Sequence, residues 1–138
     1  MGRSERGKGG ADSGRLAKRK KTSEPGFLPN VLRIAALAAE HKAGNIKAYD
    51  VQGLTLVADC FIVCSASSEP HFKAVFNAVK EGMKTIGVTP LHTEGVFNGG
   101  WLVLDYSTII VHIFRNEARE FYDLDGLWAD APEVTLDL

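Results

Sequence analysis

Cysteine is scarce in this sequence, and the spacing of the two cysteines excludes two roles for them. Cys60 and Cys64 are four residues apart in a predicted strand. At about 3.3 Å per residue they would stand roughly 13 Å apart, which is too far for a disulfide. No further Cys or His clusters near them in the sequence to complete a metal site. We therefore expect two buried structural thiols.

Long apolar runs and common catalytic motifs are absent as well. No run approaches the roughly 20 residues that cross a bilayer, and no stretch has the pattern of a secretory signal. The sequence contains neither a glycine-rich phosphate loop nor a Ser or Cys in a nucleophile elbow. These features predict a soluble, cytoplasmic protein without membrane contact, cofactor or enzymatic activity.

The net charge of −1 conceals a strong asymmetry along the chain. Residues 1–25 carry eight Lys or Arg against three acids, and residues 26–138 carry eight against fourteen. The basic segment is rich in Gly and Ser and poor in large apolar residues, which is typical of disorder. We predict a disordered basic arm over 1–27 and a single domain over 28–138. The arm either contacts nucleic-acid phosphates through residues 1–25 or is a dispensable, solubilising extension.

Helical and strand periodicities predict the first half of the domain. Residues 30–45 have apolar positions at helical spacing, and Gly44 is expected to end this helix. A strand is predicted over 46–51. Residues 60–65 are apolar on both sides of the pleat, which indicates a central strand covered on both faces.

A second helix has the clearest pattern in the chain. Ser68 and Pro70 form its start, and Gly87 is expected to end it. Its apolar face consists of Phe72, Val75, Phe76, Val79, Met83 and Ile86. A short strand near 90–94 and then two consecutive strands follow. The alternation of strands and helices, closed by two consecutive strands, predicts an α/β fold with a mixed five-stranded sheet packed with helices.

The two consecutive strands form a predicted hairpin, 101–106 and 109–114, with a two-residue turn. Alternation along the pleat places two sets of residues on opposite faces. The face expected in the core holds Leu102, Leu104, Tyr106, Ile109, Val111 and Ile113. The reverse face holds Trp101, Val103, Asp105, Ile110, His112 and Phe114.

The reverse face of the hairpin is a candidate protein-binding surface. Trp101 follows a flexible Asn-Gly-Gly segment, and Trp is over-represented among interface hot spots. We expect Trp101 to be exposed for binding. His112 is interpreted either as part of that surface or, as we favour, as a half-buried residue beneath a covering helix.

Residues 115–128 predict a short helix that folds its aromatic side chains onto the sheet. Phe121 and Trp128 are expected to seal the end of the core. Arg119 and Asp123 have the spacing of a surface ion pair on a helix.

The alternative hypothesis is an enzyme or a nucleotide-binding protein. Asp59 and Asp105 lie on or beside predicted strands, and a metal-dependent nucleotidyltransferase-like enzyme or a nucleotide-binding protein could use them. No strand carries two carboxylates at i and i+2, which is the usual way to hold a pair of metal ions. A homodimer through the Trp101 side of the hairpin is a further alternative.

Several blocks of the sequence resemble the ribosomal silencing factors, the Iojap family. One block is LVADCFIVC, residues 56–64, and another is REFYDLDGLW, residues 119–128. Between them lie Glu94-Gly95, Trp101, Leu104-Asp105-Tyr106 and Val111-His112, at the family's spacing. The resemblance covers roughly residues 30–134. Three positions depart from the family pattern: Cys60 replaces a Tyr, Ala66 replaces a Gly, and Ser107-Thr108 replaces a Gly-Asp turn.

This resemblance implies a fold similar to nucleotidyltransferases that is non-catalytic. It also implies a repressor that binds the large ribosomal subunit through its fourteenth large-subunit protein and sterically blocks joining of the small subunit when nutrients are scarce. The docking surface implied by the resemblance comprises Trp101, Leu102, Asp105 and Tyr106, although alternation turns Leu102 and Tyr106 toward the core. Asp59, Glu94 and Asp105 would face the basic ribosomal protein. His112 shares the Trp101 side.

Overall fold

The computed structural model describes residues 25–138, so nearly all of the predicted basic arm lies outside the described residues. Helices and strands alternate through most of this part of the chain. In order the elements are α1 (Leu28–Glu40), β1 (Gly44–Asp50), β2 (Cys60–Ala66), α2 (Glu69–Lys84), β3 (His92–Val96), a 3-10 turn (Phe97–Gly99), β4 (Trp101–Asp105), β5 (Ile109–Arg115), α3 (Asn116–Tyr122) and α4 (Leu124–Leu127). No helix within residues 25–138 has both the length and the apolarity to cross a membrane.

The five strands form one mixed sheet, as the sequence predicts. Their order is β1-β2-β5-β4-β3, with β2 and β5 parallel and the other pairs antiparallel. Every residue of β2 is buried, in agreement with the prediction of a central strand covered on both faces. The hairpin register is also confirmed, with Leu102 opposite Ile113 and Leu104 opposite Val111.

Helices α1 and α2 cover one face of the sheet and form the larger core. The apolar stripe of α2 is buried from Phe72 to Met83, and α1 contributes Val31 and Ile34. The two helices approach closely at Gly82, where a Cβ atom would stand 2.5 Å from Cδ2 of Leu37. A side chain at position 82 would therefore force the Leu37 side chain to move.

Of the two predicted helix ends, one is wrong and the other is correct. Helix α1 ends at Glu40, and the chain turns at Lys42 (φ 62°), so that Gly44 is the first residue of β1 rather than the helix stop. The predicted stop of α2 at Gly87 is confirmed, because the helix ends at Lys84 and the left-handed Gly87 closes its last turn by donating its amide to the Lys84 carbonyl at 2.9 Å. Ile86 lies beyond that end and is 49% exposed, so it does not extend the buried stripe. The predicted start is correct, because the Ser68 hydroxyl accepts from the His71 amide at 3.2 Å.

The other face of the sheet is covered near β1 and β2 by the segment that follows β5. A second core cluster includes Phe61, Val63 and Phe114 together with the partly buried Trp128. The Trp128 ring lies against Phe61 with their centroids 5.3 Å apart, as expected for a residue that closes the core. Phe121 does not seal the core, because its side chain is 80% exposed.

Arg119 forms a buried network instead of the predicted surface pair with Asp123. Asp123 has a left-handed conformation (φ 50°) that ends α3 and caps α4, and this reversal brings Asp125 to Arg119. The guanidinium binds both carboxylate oxygens of Asp125, at 2.9 and 3.1 Å. It also donates to the carbonyl of Asn45 at 2.6 Å, where the pairing of β1 with β2 is irregular. Arg119 therefore joins α3 and α4 to the edge strand β1.

Candidate protein-docking site

A shallow pocket lies on the sheet face opposite α1 and α2, beyond the region that α4 covers. Its volume is about 290 Å³. The pocket, here called the Trp101 pocket, is lined by Val57, Phe61, His92, Glu94, Trp101, Val103, Asp105, Ile110 and His112. Four of the predicted site residues, Glu94, Trp101, Asp105 and His112, thus come together in one place.

Trp101 is held rigidly although part of its ring is accessible. Its indole Nε1 donates to Nδ1 of His112 at 3.2 Å. Its ring packs on Phe114 and Tyr122, with centroid distances of 4.9 and 4.7 Å. Binding a partner would therefore cost little side-chain entropy at this position. The prediction of an exposed Trp101 is correct only in part, because the residue is half-buried.

His112 lies in the floor of the pocket beside the apolar residues Phe61, Val103 and Ile110. It is 8% exposed, packs edge-on against Phe61, and accepts from Trp101 through Nδ1, which places its proton on Nε2. Nε2 has no hydrogen-bond partner among the described residues. Burial lowers the pKa of His112 to about 4, so the ring is neutral at pH 7. The burial of His112 agrees with the favoured interpretation and is deeper than predicted, but the residue lines the Trp101 pocket instead of lying beneath a covering helix.

The neutral state of His112 predicts an acid-sensitive stability. Since its pKa of about 4 in the folded chain is below the unfolded value of 6.5, the unfolded state binds the proton first as the pH falls. The free energy of unfolding should therefore fall between pH 6.5 and pH 4, by up to about 3 kcal/mol from this group. Urea unfolding at several pH values in this range measures the effect. The free energy of unfolding should fall less steeply with decreasing pH for His112→Gln than for the wild type. The control His41→Gln, at an exposed histidine, should keep the pH dependence of the wild type. An equal pH dependence of unfolding free energy for His112→Gln and the wild type would contradict the assignment.

The rim of the pocket is acidic. Glu94 on β3 and Asp105 on β4 lie on either side of His92, whose Nε2 is 2.9 Å from Oε2 of Glu94 and 3.5 Å from Oδ2 of Asp105. No Lys or Arg is among the residues that line the pocket. The site therefore combines an apolar floor with carboxylates at its edge.

Three predicted residues lie elsewhere. Asp59 lines a neighbouring pocket of about 380 Å³ that shares Val57 with the Trp101 pocket. Leu102 and Tyr106 point to the opposite face of the sheet, as alternation predicts. Leu102 is 4% exposed in the helix-facing core, and the Tyr106 ring packs against that core with its hydroxyl buried. A partner at the Trp101 pocket would reach neither side chain.

Sequence reasoning missed Val57, Phe61 and His92 as lining residues. Phe61 could have been found, because β2 pairs with β5 and Phe61 lies beside Ile110 in that ladder. His92 lies opposite Asp105 only because of the register of β3 against β4, which a five-residue strand does not specify in its sequence.

Residues 25–138 contain no set of three or more His, Cys, Asp or Glu placed to hold a metal ion. Cys60 and Cys64 are unpaired and buried, as predicted, and burial raises the pKa of each thiol to about 12. Neither thiol is a nucleophile at pH 7.

The fold and the pocket define a class of protein, the small mixed α/β domain with an acid-rimmed pocket on the sheet face opposite its two long helices. Comparison with known proteins then identifies the family. Residues 26–138 match the family described as "Ribosomal silencing factor during starvation". The chain belongs to this family, as the resemblance of its sequence blocks indicated.

Individual relatives agree with this assignment. The chain is 35% identical over 109 residues to the ribosomal silencing factor RsfS of Bacillus subtilis. The aligned region covers 78% of this chain and 92% of that protein. It is 32% identical over 108 residues to the protein of the same name from Halalkalibacterium halodurans, with coverage of 78% and 92%. A crystal structure of a Chromobacterium violaceum protein has the same fold, with a TM-score of 0.72 at 24% identity, over 83% of this chain and 94% of that one.

Proposed function

We propose that this protein represses translation by docking on the large ribosomal subunit through the Trp101 pocket. The coarse part of this function, a silencing role on ribosomes, rests on membership of the family described as a ribosomal silencing factor during starvation. The finer part, which surface docks and how silencing occurs, rests on the geometry of the pocket.

The observation that carries the proposal is the pocket's combination of Trp101, an apolar floor and a rim of carboxylates without Lys or Arg. A preformed apolar recess with an aromatic anchor is typical of an interface centre. Its acidic rim would repel rRNA phosphates and attract a basic protein surface. The ribosomal contact of this face is therefore a protein, and we propose the fourteenth large-subunit ribosomal protein, which the family resemblance implies.

Silencing on this account is steric and stoichiometric. A domain bound at the subunit interface occupies the space that the small subunit needs, so no reaction is catalysed. The basic residues of 1–25 would add a contact to rRNA phosphates that weakens as salt rises.

A subunit-joining assay tests this function. Purified large subunits are incubated with the protein, small subunits are added, and joined ribosomes are measured by sucrose-gradient sedimentation. We expect joining to fall in proportion to the ratio of protein to large subunit and to be abolished near one per subunit. Undiminished joining at saturating protein, or full inhibition by a small fraction of one equivalent, would contradict a steric block.

A further inference from the structure

Three apolar side chains of the loop between β1 and β2 are open to solvent. Leu54 is 56% exposed, Leu56 105% and Val57 64%. Single exposed apolar residues are common on protein surfaces, but three within four positions of one loop form a patch that water solvates poorly. Contact with an apolar surface of a partner would remove this area from water.

The loop presents these side chains in a defined conformation. The Val51 amide donates to the carbonyl of Asp59 at 2.9 Å and closes the base of the loop. The Gln52 amide donates to a carboxylate oxygen of Asp50 at 3.1 Å, and the Val57 amide donates to the Thr55 hydroxyl at 3.2 Å. A loop ordered in this way loses little conformational entropy when a partner binds it.

The patch is continuous with the Trp101 pocket. Val57 lines that pocket and also the neighbouring one, which contains Leu56, Asp59 and the turn residues Ser107 and Thr108. Across both pockets the acidic side chains are Asp59, Glu94 and Asp105, and neither Lys nor Arg occurs among the lining residues. The loop and the pocket thus form one acidic surface with two apolar centres.

We propose that the 52–58 loop is a second docking element, in which Leu56 inserts into an apolar depression bordered by Lys or Arg on a basic ribosomal protein. This inference rests on the proposed function and extends the interface beyond the Trp101 pocket. Carboxylates around the patch disfavour rRNA, whose phosphates they would repel. They also disfavour a second copy of this chain, which would bring the same acidic residues against each other.

A matched pair of variants tests the role of Leu56. Leu56→Ser should weaken binding to purified large subunits at least about 10-fold, because binding would no longer bury the side chain. Ile86→Ser changes another exposed aliphatic residue, 49% exposed and beyond the end of α2 on the helix-covered side, and should bind like the wild type. Both variants should keep the wild-type Tm, and affinity is measured by co-sedimentation at fixed salt.

The outcomes separate this inference from the proposed function. If the wild type does not co-sediment, both fail. If the wild type binds, Trp101→Ala weakens binding and Leu56→Ser binds as the wild type does, the loop proposal alone is overturned. A photo-crosslinking amino acid at position 56 should label a ribosomal protein when ultraviolet light is applied to the complex. Labelling of rRNA, or of a second copy of this chain, would overturn the proposed occupant.

Discussion

Arg119→Met is expected to lower the free energy of unfolding by about 3 kcal/mol. The variant keeps most of the side-chain length but removes the guanidinium that binds Asp125 and the carbonyls of Asn45 and Gly44. Since the Arg119 side chain is only 9% exposed and that of Asp125 30%, water would only partly replace the lost bonds. Urea unfolding at pH 7 measures the effect. A loss below about 1 kcal/mol would contradict the network's role. The control Arg33→Met, at an exposed arginine, should change the free energy of unfolding by no more than about 0.5 kcal/mol.

The same network should cause a further loss of unfolding free energy, at a lower pH than the loss that His112 causes. Burial raises the pKa of Asp125, but the hydrogen bonds from Arg119 and Tyr49 outweigh it, and the net pKa is lowered. A carboxyl group whose folded pKa lies below its unfolded value stabilises the fold above that unfolded value. This contribution is lost as the pH falls through the folded pKa. It should vanish from the pH profile of Arg119→Met, whereas the loss that His112 causes at higher pH should remain.

Trp101→Ala is expected to weaken binding to the large subunit by at least about 2 kcal/mol, or roughly 30-fold. The substitution removes the aromatic anchor and the Nε1 donor to His112, so the partner would meet an enlarged recess with an unpaired imidazole nitrogen. Co-sedimentation with purified large subunits measures the change in affinity.

Two companion variants make the Trp101 result specific. Trp101→Phe keeps an aromatic ring on Phe114 and Tyr122 and should recover part of the affinity. Leu32→Ala, on the exposed side of α1 behind the opposite sheet face, should bind normally. If a folded Trp101→Ala protein binds as tightly as the wild type, Trp101 is not a hot spot.

Much of the sheet could be predicted from sequence because its signals are local. The period of two along the hairpin correctly separated Leu102 and Tyr106 from Trp101, on opposite faces of the sheet. The uninterrupted apolar run of β2 predicted its central position for the same reason.

The Arg119 network could not be predicted, because it depends on a backbone reversal. Helical spacing favours Asp123 as the partner of Arg119, but Asp123 is left-handed and accepts from the Gly126 amide instead. Asp125 reaches Arg119 only once α4 has turned back toward β1, where Tyr49 also donates to it at 2.6 Å. The bonds from Tyr49 to Asp125 and from Arg119 to Asn45 join residues more than seventy positions apart in the chain.

The site was predicted only in part, because some of its residues are brought together by separate elements of the fold. Trp101, Asp105 and His112 follow from the hairpin alone, since they alternate on one face of two adjacent strands. Glu94 and His92 join them through the register of β3, and Val57 through the conformation of the 52–58 loop. Sequence pattern specifies faces within an element, whereas these residues depend on how separate elements meet.

The most direct measurement of the central claim is a cryo-electron microscopy structure of the full chain bound to the large ribosomal subunit. We expect the Trp101 pocket and the 52–58 loop to contact a basic ribosomal protein at the subunit interface, with Glu94 and Asp105 facing its Lys or Arg side chains. A complex in which the chain binds through the α1 and α2 side, or away from the surface that meets the small subunit, would contradict it.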